Sequence, residues 1–404
     1  MNGLEIYIHI PFCVKKCDYC DFLSAPADLE TKEKYVEALI NEIKLNKNKM
    51  SEYVVDTVFI GGGTPSLLEE NQISKIMSVL RDNCNMSENP EITIECNPGT
   101  ITESKLWEYK KSGINRISFG LQSANDQELK SIGRIHNYAG FLESYNLARK
   151  VGFENINVDV MSALPGQTVE SYKHTLESVL AMEPEHISAY SLIVEENTLM
   201  YDRVKKAQIK GINILPDEES ERKMYYLTNN ILRSNGYRKY EISNYSKPGK
   251  ECKHNIGYWQ RKEYLGFGIG AASLYKENRY NNISDINKYI EVLTNNIKEN
   301  SINNVENSSE VENQVNILNS IVKNLQQLTE RDRMEEFMFL GLRMMEGVSM
   351  EKFERYFGKP YMEVYGKVQK KMEDKRFLIN DNGYVKLTEF GIDLSNYVMS
   401  EFLF

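Results

Sequence analysis

Six short β-rich runs constrain this chain more than any other feature: Ile6 to Ile10, Val54 to Ile60, Ile92 to Glu95, Arg116 to Leu121, Ile156 to Met161 and Ile187 to Ile193. Between them, apolar residues recur at helical spacing, as at Val36, Leu39, Ile40 and Ile43, or Tyr172, Leu176, Val179 and Leu180. Strands alternating with helices imply a parallel sheet joined by right-handed crossovers. Polar and small residues collect where the runs end. Gly61-Gly62-Gly63-Thr64-Pro65 follows the second run, Glu95 ends the third, Gln122 lies just past the fourth, and Tyr190 and Ser191 lie in the sixth. In parallel α/β barrels the C-terminal rim carries the chemistry. The expected fold is therefore α/β, a partial barrel of six β/α units with its functional groups on that rim.

A chain of 404 residues is too long for one ordinary core. The expected division is a large domain over 1–280, a polar insertion or linker over 281–330, and a small C-terminal domain over 331–404. The middle segment holds 13 asparagines between Asn281 and Asn324, few aromatics and many Glu and Lys, a composition that buries little, with a helical stretch at Val315 to Leu325. Apolar periodicity resumes at Phe337, Leu340, Met344 and Met345. A hairpin follows at Leu378 to Leu387, turning at Asn382-Gly383, and then a closing helix, the outline of a winged-helix-like unit. A net charge of -9 gives no general attraction to nucleic acid. No run approaches the roughly 18 apolar residues that cross a bilayer, and the N-terminus does not read as a signal peptide, so a cytoplasmic location is expected.

The first strand leads into HIPFCVKKCDYCDF, where Cys13, Cys17 and Cys20 fall within eight positions. Three clustered thiols in a reducing compartment bind metal. A tetrahedral zinc site normally wants four protein ligands, which His9, Cys96 or Cys252 could complete. Cysteine thiolates also hold iron–sulfur clusters, and three ligands on a four-iron cube leave one iron open.

This cysteine spacing after the first strand, with GGGTP after the second, resembles the radical S-adenosylmethionine superfamily. The resemblance implies a [4Fe-4S] cluster on Cys13, Cys17 and Cys20, whose open iron chelates S-adenosylmethionine. It also implies an electron donor to the cluster, which can cleave the sulfonium bond to a 5′-deoxyadenosyl radical. The stretches YIHIPFC, GGGTPSLL, IECNPGT, RISFGLQS, IGRIHN, NVDVMSALPGQT, YEISNYSKPG and LTEFGIDLSNYV narrow it to the oxygen-independent coproporphyrinogen III oxidase family and its haem-chaperone relatives. By that resemblance Tyr7 and Tyr19 stand beside the cluster, and Gly62, Gly63 and Thr64 near the methionyl amino group. Glu95, Gln122, Arg134 and Asp159 surround the carboxylate and ribose, and Ile193 lies beside the adenine.

Two features separate the branches of this family. The oxidases carry a further cysteine two positions after the third, where this chain has Phe22, and an N-terminal extension, where only three residues precede Leu4. Both departures argue against the porphyrinogen oxidase, which stays as the alternative. The second feature is His254-Asn255-x-x-Tyr258-Trp259, similar to the motif of the haem-chaperone branch. There the histidine is tied to haem binding. Imidazole ligates haem iron, Tyr258 and Trp259 suit a flat macrocycle, and Cys252 offers a thiolate alternative. Relatives tend to have a histidine in the glycine-rich stretch where this chain has Ala272. His9, His136, His174 and His186 are read as structural. The resemblance thus implies delivery of haem to acceptor proteins such as respiratory cytochromes, at the inner face of the membrane and with at most peripheral association.

Overall fold

The computed structural model describes residues 2–302 and 308–404. All six expected strands form: β1 Asn2–Ile10, β2 Tyr53–Gly62, β3 Met86–Cys96, β4 Arg116–Gln122, β5 Ile156–Ser162 and β6 His186–Ser191. They pair in parallel and in sequence order, and the sheet does not close on itself. The α/β partial-barrel expectation is borne out. The sheet also grows at both edges in ways that the periodicity did not announce. On one side β7 Arg238–Lys239 and β8 Asn244–Ser246 add to β6 antiparallel. On the other, β9 Tyr264–Phe267 joins β1 in parallel, and β10 Ala272–Tyr275, β11 Asn278–Asn282 and β12 Val322–Gln327 continue antiparallel.

Strand alternation gives this sheet two unlike faces. In β1, Leu4, Ile6, Ile8 and Ile10 are fully buried in the main core, while Glu5, Tyr7 and His9 point the other way. Register carries that second face across the sheet: Glu5 lies beside Thr57 and Thr57 beside Glu91, while Glu95 adjoins Ser118, Ser118 Asn157 and Asn157 His186. The interior is therefore a polar channel with two ends. Glu5, Thr57, Glu91 and Arg116 lie toward its N-terminal end, and Gly61, Glu95, Asp159 and Tyr190 toward its C-terminal rim.

The segment expected as a polar insertion or linker carries two helices and a strand among its described residues. Helices Ile286–Ile302 and Ser308–Ile321 flank residues 303–307, which lie outside the described residues, and β12 follows directly. Tyr289, Leu293, Ile317 and Ile321 sit in the main core, and the Tyr289 hydroxyl donates to the buried Glu42 carboxylate at 2.5 Å. The composition concealed an amphipathic face, because a few apolar residues at helical spacing suffice to dock a polar helix.

A separate apolar cluster builds the C-terminal part, with Met338, Leu342, Phe353, Tyr361, Leu378, Val385 and Phe402 all buried. The hairpin forms as β14 Leu378–Asp381 and β15 Tyr384–Leu387, and β13 Val348–Ser349 adds a third strand. Asn382 at φ 53° and Gly383 at φ 83° make its turn with two left-handed residues, as a two-residue hairpin loop requires. The closing helix is divided in two, Glu389–Asp393 and Ser395–Ser400.

Candidate functional site at the C-terminal rim

A cavity of about 470 Å³ opens at the rim. Twelve of the fourteen residues singled out in the sequence line it: Cys13, Cys17, Cys20, Tyr19, Gly62, Gly63, Thr64, Glu95, Gln122, Arg134, Asp159 and Ile193. Tyr7 and His254 do not. Ile193 lies at the mouth with 69% of its surface exposed.

The cysteine loop is tied down by four backbone bonds to three places. Cys13 N–H donates to Ala25 O, Ala25 N–H to Pro11 O, Asp18 N–H to Ile132 O, and Thr64 N–H to Phe12 O. All three thiols are free and partly exposed. The Cys13 sulfur is 3.6 Å from the Thr64 hydroxyl, and Arg134 Nη1 donates to the Cys17 sulfur at 3.7 Å. Burial pushes the Cys20 thiol up, opposed by a backbone N–H from Phe22. These thiols fit an iron–sulfur cluster better than a zinc knuckle. The Nδ1 of His9 is bonded to Tyr7 and its Nε2 to the Leu23 carbonyl, and Cys252 is buried and donates to Glu91. Two of the three candidates for a fourth zinc ligand are thus engaged elsewhere. Among the described residues no three His, Cys, Asp or Glu side chains are arranged to hold a single ion.

The glycine run serves packing before it serves any ligand. A Cβ on Gly63 would sit 2.8 Å from Phe12 O and 2.9 Å from Ile10 O, and one on Gly62, at φ 110°, would strike the His9 ring. Only glycine lets the end of β2 lie against the start of the cysteine loop. Gly62 N–H then donates to Glu95 Oε2 at 3.0 Å.

Two carboxylates line the same cavity as the thiols. Burial, reinforced by the Asp159 carboxylate, raises Glu95 to about 7, while the Gly62 N–H and Arg116 oppose the shift. Burial likewise raises Asp159, which accepts from Asn157 Nδ2 at 2.7 Å. Arg134 is committed within the protein: besides Cys17 it donates to Asn97 Oδ1 at 3.0 Å and to Gly120 O, and only its Nε lacks a partner. Gln122 adopts φ 74°, a left-handed geometry unusual for a side-chain-bearing residue, and its Oε1 accepts from the Tyr190 hydroxyl at 3.2 Å. Asn97 was missed in the sequence, yet it joins two parts of the site by donating to Thr64 Oγ1 at 2.8 Å and accepting from Arg134. Its place directly after the end of β3 was the available signal.

His254 lies toward the other end of the channel, on the helix Lys253–Trp259, and only 1% of its surface is exposed. Its Nδ1 is 2.7 Å from Thr57 Oγ1, its Nε2 is 3.1 Å from the Tyr258 hydroxyl, and its ring stacks on Phe59. Glu91 caps this helix from β3, accepting from Lys253 N–H, His254 N–H and the Cys252 thiol. Burial, with help from Lys262 and Arg116, drives the imidazole down to about 3, so it is neutral. Tyr7 lies between the two ends, stacked on Phe59 and bonded to His9.

Comparison with known proteins agrees with this geometry. Residues 7–179 match the model of the radical SAM superfamily, and residues 328–394 match the HemN C-terminal domain. "Heme chaperone HemW" of Lactococcus lactis subsp. lactis (strain IL1403) is 34% identical over 98% of this chain and 96% of its own length. The protein of the same name from Bacillus subtilis (strain 168) is 35% identical over 98% of each. The solved structure of coproporphyrinogen III oxidase (HemN) from Escherichia coli superposes with a TM-score of 0.82 over 100% of this chain and 90% of that one, at 22% identity, a likeness of fold. End-to-end similarity at this level, with a superfamily match over the cysteine loop and a HemN-type C-terminal segment, places the chain in the HemW-like branch of the radical SAM proteins, within the oxygen-independent coproporphyrinogen III oxidase family.

Proposed function

We propose that this protein binds haem and passes it to acceptor proteins, respiratory cytochromes among them, on a scaffold that also carries a [4Fe-4S] cluster and S-adenosylmethionine. The observation that carries the reading is the full-length similarity to two proteins named heme chaperones, in a chain whose three free thiols share one cavity with polar groups from the strand ends. Cys13, Cys17 and Cys20 would hold the cluster, which supplies an open iron and an electron when bound. Thr64 and Asn97 order the cavity wall beside the thiols, and Arg134 places a fixed positive charge on Cys17. Asp159 and Glu95 present acceptors to ribose or amino donors. Both belong to a protein that works in the cytoplasm or at the inner membrane face. No helix among the described residues is long and apolar enough to cross a membrane.

His254 is the proposed iron ligand, and its burial sets a condition. Both ring nitrogens are already bonded, so ligation requires the Lys253–Trp259 helix to give up the Thr57 or the Tyr258 contact. Anaerobic reconstitution followed by haem titration tests the function. Wild-type protein should bind haem saturably and leave coproporphyrinogen unchanged, and His254→Ala should lose or shift the Soret band while the iron–sulfur spectrum persists. Release of carbon dioxide from coproporphyrinogen would instead establish the oxidase.

A further inference from the structure

Outside the rim, a cleft of about 360 Å³ opens where the helix carrying His254 ends against the C-terminal part. Trp259, Gln260 and Arg261 contribute one wall. The facing wall comes from Phe337, Met344, Tyr356 and Tyr384, with Lys352 and Arg355 also lining the cleft.

Three properties of this cleft point to a ligand. Its walls are aromatic on both sides, which suits a flat conjugated molecule. The indole Nε1 of Trp259 is buried with no hydrogen-bond partner, and the Arg343 guanidinium packs on the same ring at 4.2 Å, holding it in place. Lys352 and Arg355 are exposed, and neither side chain is in a hydrogen bond or ion pair among the described residues. The cations around them are paired. Arg261, in the same wall, is bonded to Glu277 and Glu336, and Arg279 also reaches Glu336. In a chain of net charge -9, two cations one helical turn apart (i, i+3) and left without partners form a seat for two carboxylates or for one.

We infer that this cleft binds a planar, conjugated dicarboxylate: aromatic walls take the ring, and Lys352 and Arg355 take its carboxylates. Resting on the proposed haem function, the inference identifies that ligand as haem and the carboxylates as its propionates. Trp259 then has two jobs. It touches the ligand, and it ends the seven-residue helix that holds His254, so filling the cleft bears directly on the element that must move for the histidine to reach iron.

The test compares haem with its dimethyl ester, which keeps the ring and iron but removes both propionate charges. Wild-type protein should prefer the diacid, and the preference should shrink as salt rises. The double variant Lys352→Glu/Arg355→Glu should bind the diacid roughly tenfold more weakly, because two exposed ion pairs are lost and their charges reversed. It should bind the ester as wild type does, with unchanged iron–sulfur content and an unchanged melting temperature. If wild type binds haem and the double variant keeps the same affinity and the same diacid preference, the cleft is not the haem seat although the haem function stands. If wild type shows no saturable haem binding, the function falls, and the assignment of this cleft to haem falls with it.

Discussion

The two ends of the polar channel are built from the same strands and differ in almost every property that bears on ligands. At the C-terminal rim, three thiols stand free around an open cavity, and the polar side chains there are only partly committed to one another. Toward the N-terminal end, His254 is sealed under a short helix with both ring nitrogens bonded and three donors of that helix gathered by Glu91. One end is ready for a ligand as it stands. The other is latched, and must lose hydrogen bonds before it can bind anything.

The sharpest way to break this contrast is to remove a ligand from the ready end. Cys17→Ala leaves two thiolates on the loop, and iron content after anaerobic reconstitution should fall nearly to zero rather than partway. Haem binding should survive, because the histidine takes no part in the rim. Loss of both together would show one site where the structure has two.

A smaller but still large effect is expected at the latch. Glu91→Ala strands the buried His254 N–H, the partly buried Lys253 N–H and the Cys252 thiol, costing roughly 2 to 4 kcal/mol in global stability by denaturant unfolding. Hydrogen exchange over Lys253–Trp259 should quicken by more than that over β4. If that helix stays as protected as the sheet, Glu91 is not what holds it shut.

The remaining contrast concerns acidity beneath the latch. Both carboxyl oxygens of Glu5 are buried without hydrogen-bond partners, and burial raises the group to about 9 although Lys262 opposes the shift. A carboxyl raised above its unfolded value contributes stability that is fully present at acid pH and is lost as pH rises from about 4.5 through about 9. His254 has the opposite sign: lowered to about 3, it favours the folded state above its ordinary value of 6.5 and loses that advantage as pH falls toward 3. Glu5→Gln should therefore flatten the decline of stability between pH 5 and 9 while leaving the acid limb in place. An unchanged alkaline slope would mean that Glu5 is already ionised in the folded protein.

Much of the rim was legible in the sequence because its signals are local. Cysteine spacing, a glycine run and single polar residues at strand ends all sit within a few positions of the strand that carries them, and the parallel order of the strands brings them together. The latch was not legible in that way. Its partners Thr57, Glu91 and His254 are 34 to 197 residues apart, and nothing in H-N-x-x-Y-W says whether the histidine faces solvent or Thr57. The glycines were found but not fully understood, since their crowding against Ile10 and Phe12 is a property of two chains of backbone meeting. In the middle segment, abundant asparagine hid the few residues, Tyr289, Leu293, Ile317 and Ile321, that dock it. The edge strands β9 to β12 are four to six residues each, too short for periodicity to speak.

The cysteine loop is stitched to Ala25, Ile132 and the end of β2 by protein hydrogen bonds alone. Those bonds use backbone groups and leave all three thiols available, so no cysteine is spent on shaping the loop. The same stitching should shield Cys13 to Cys20 from proteases in apoprotein that is still waiting for iron.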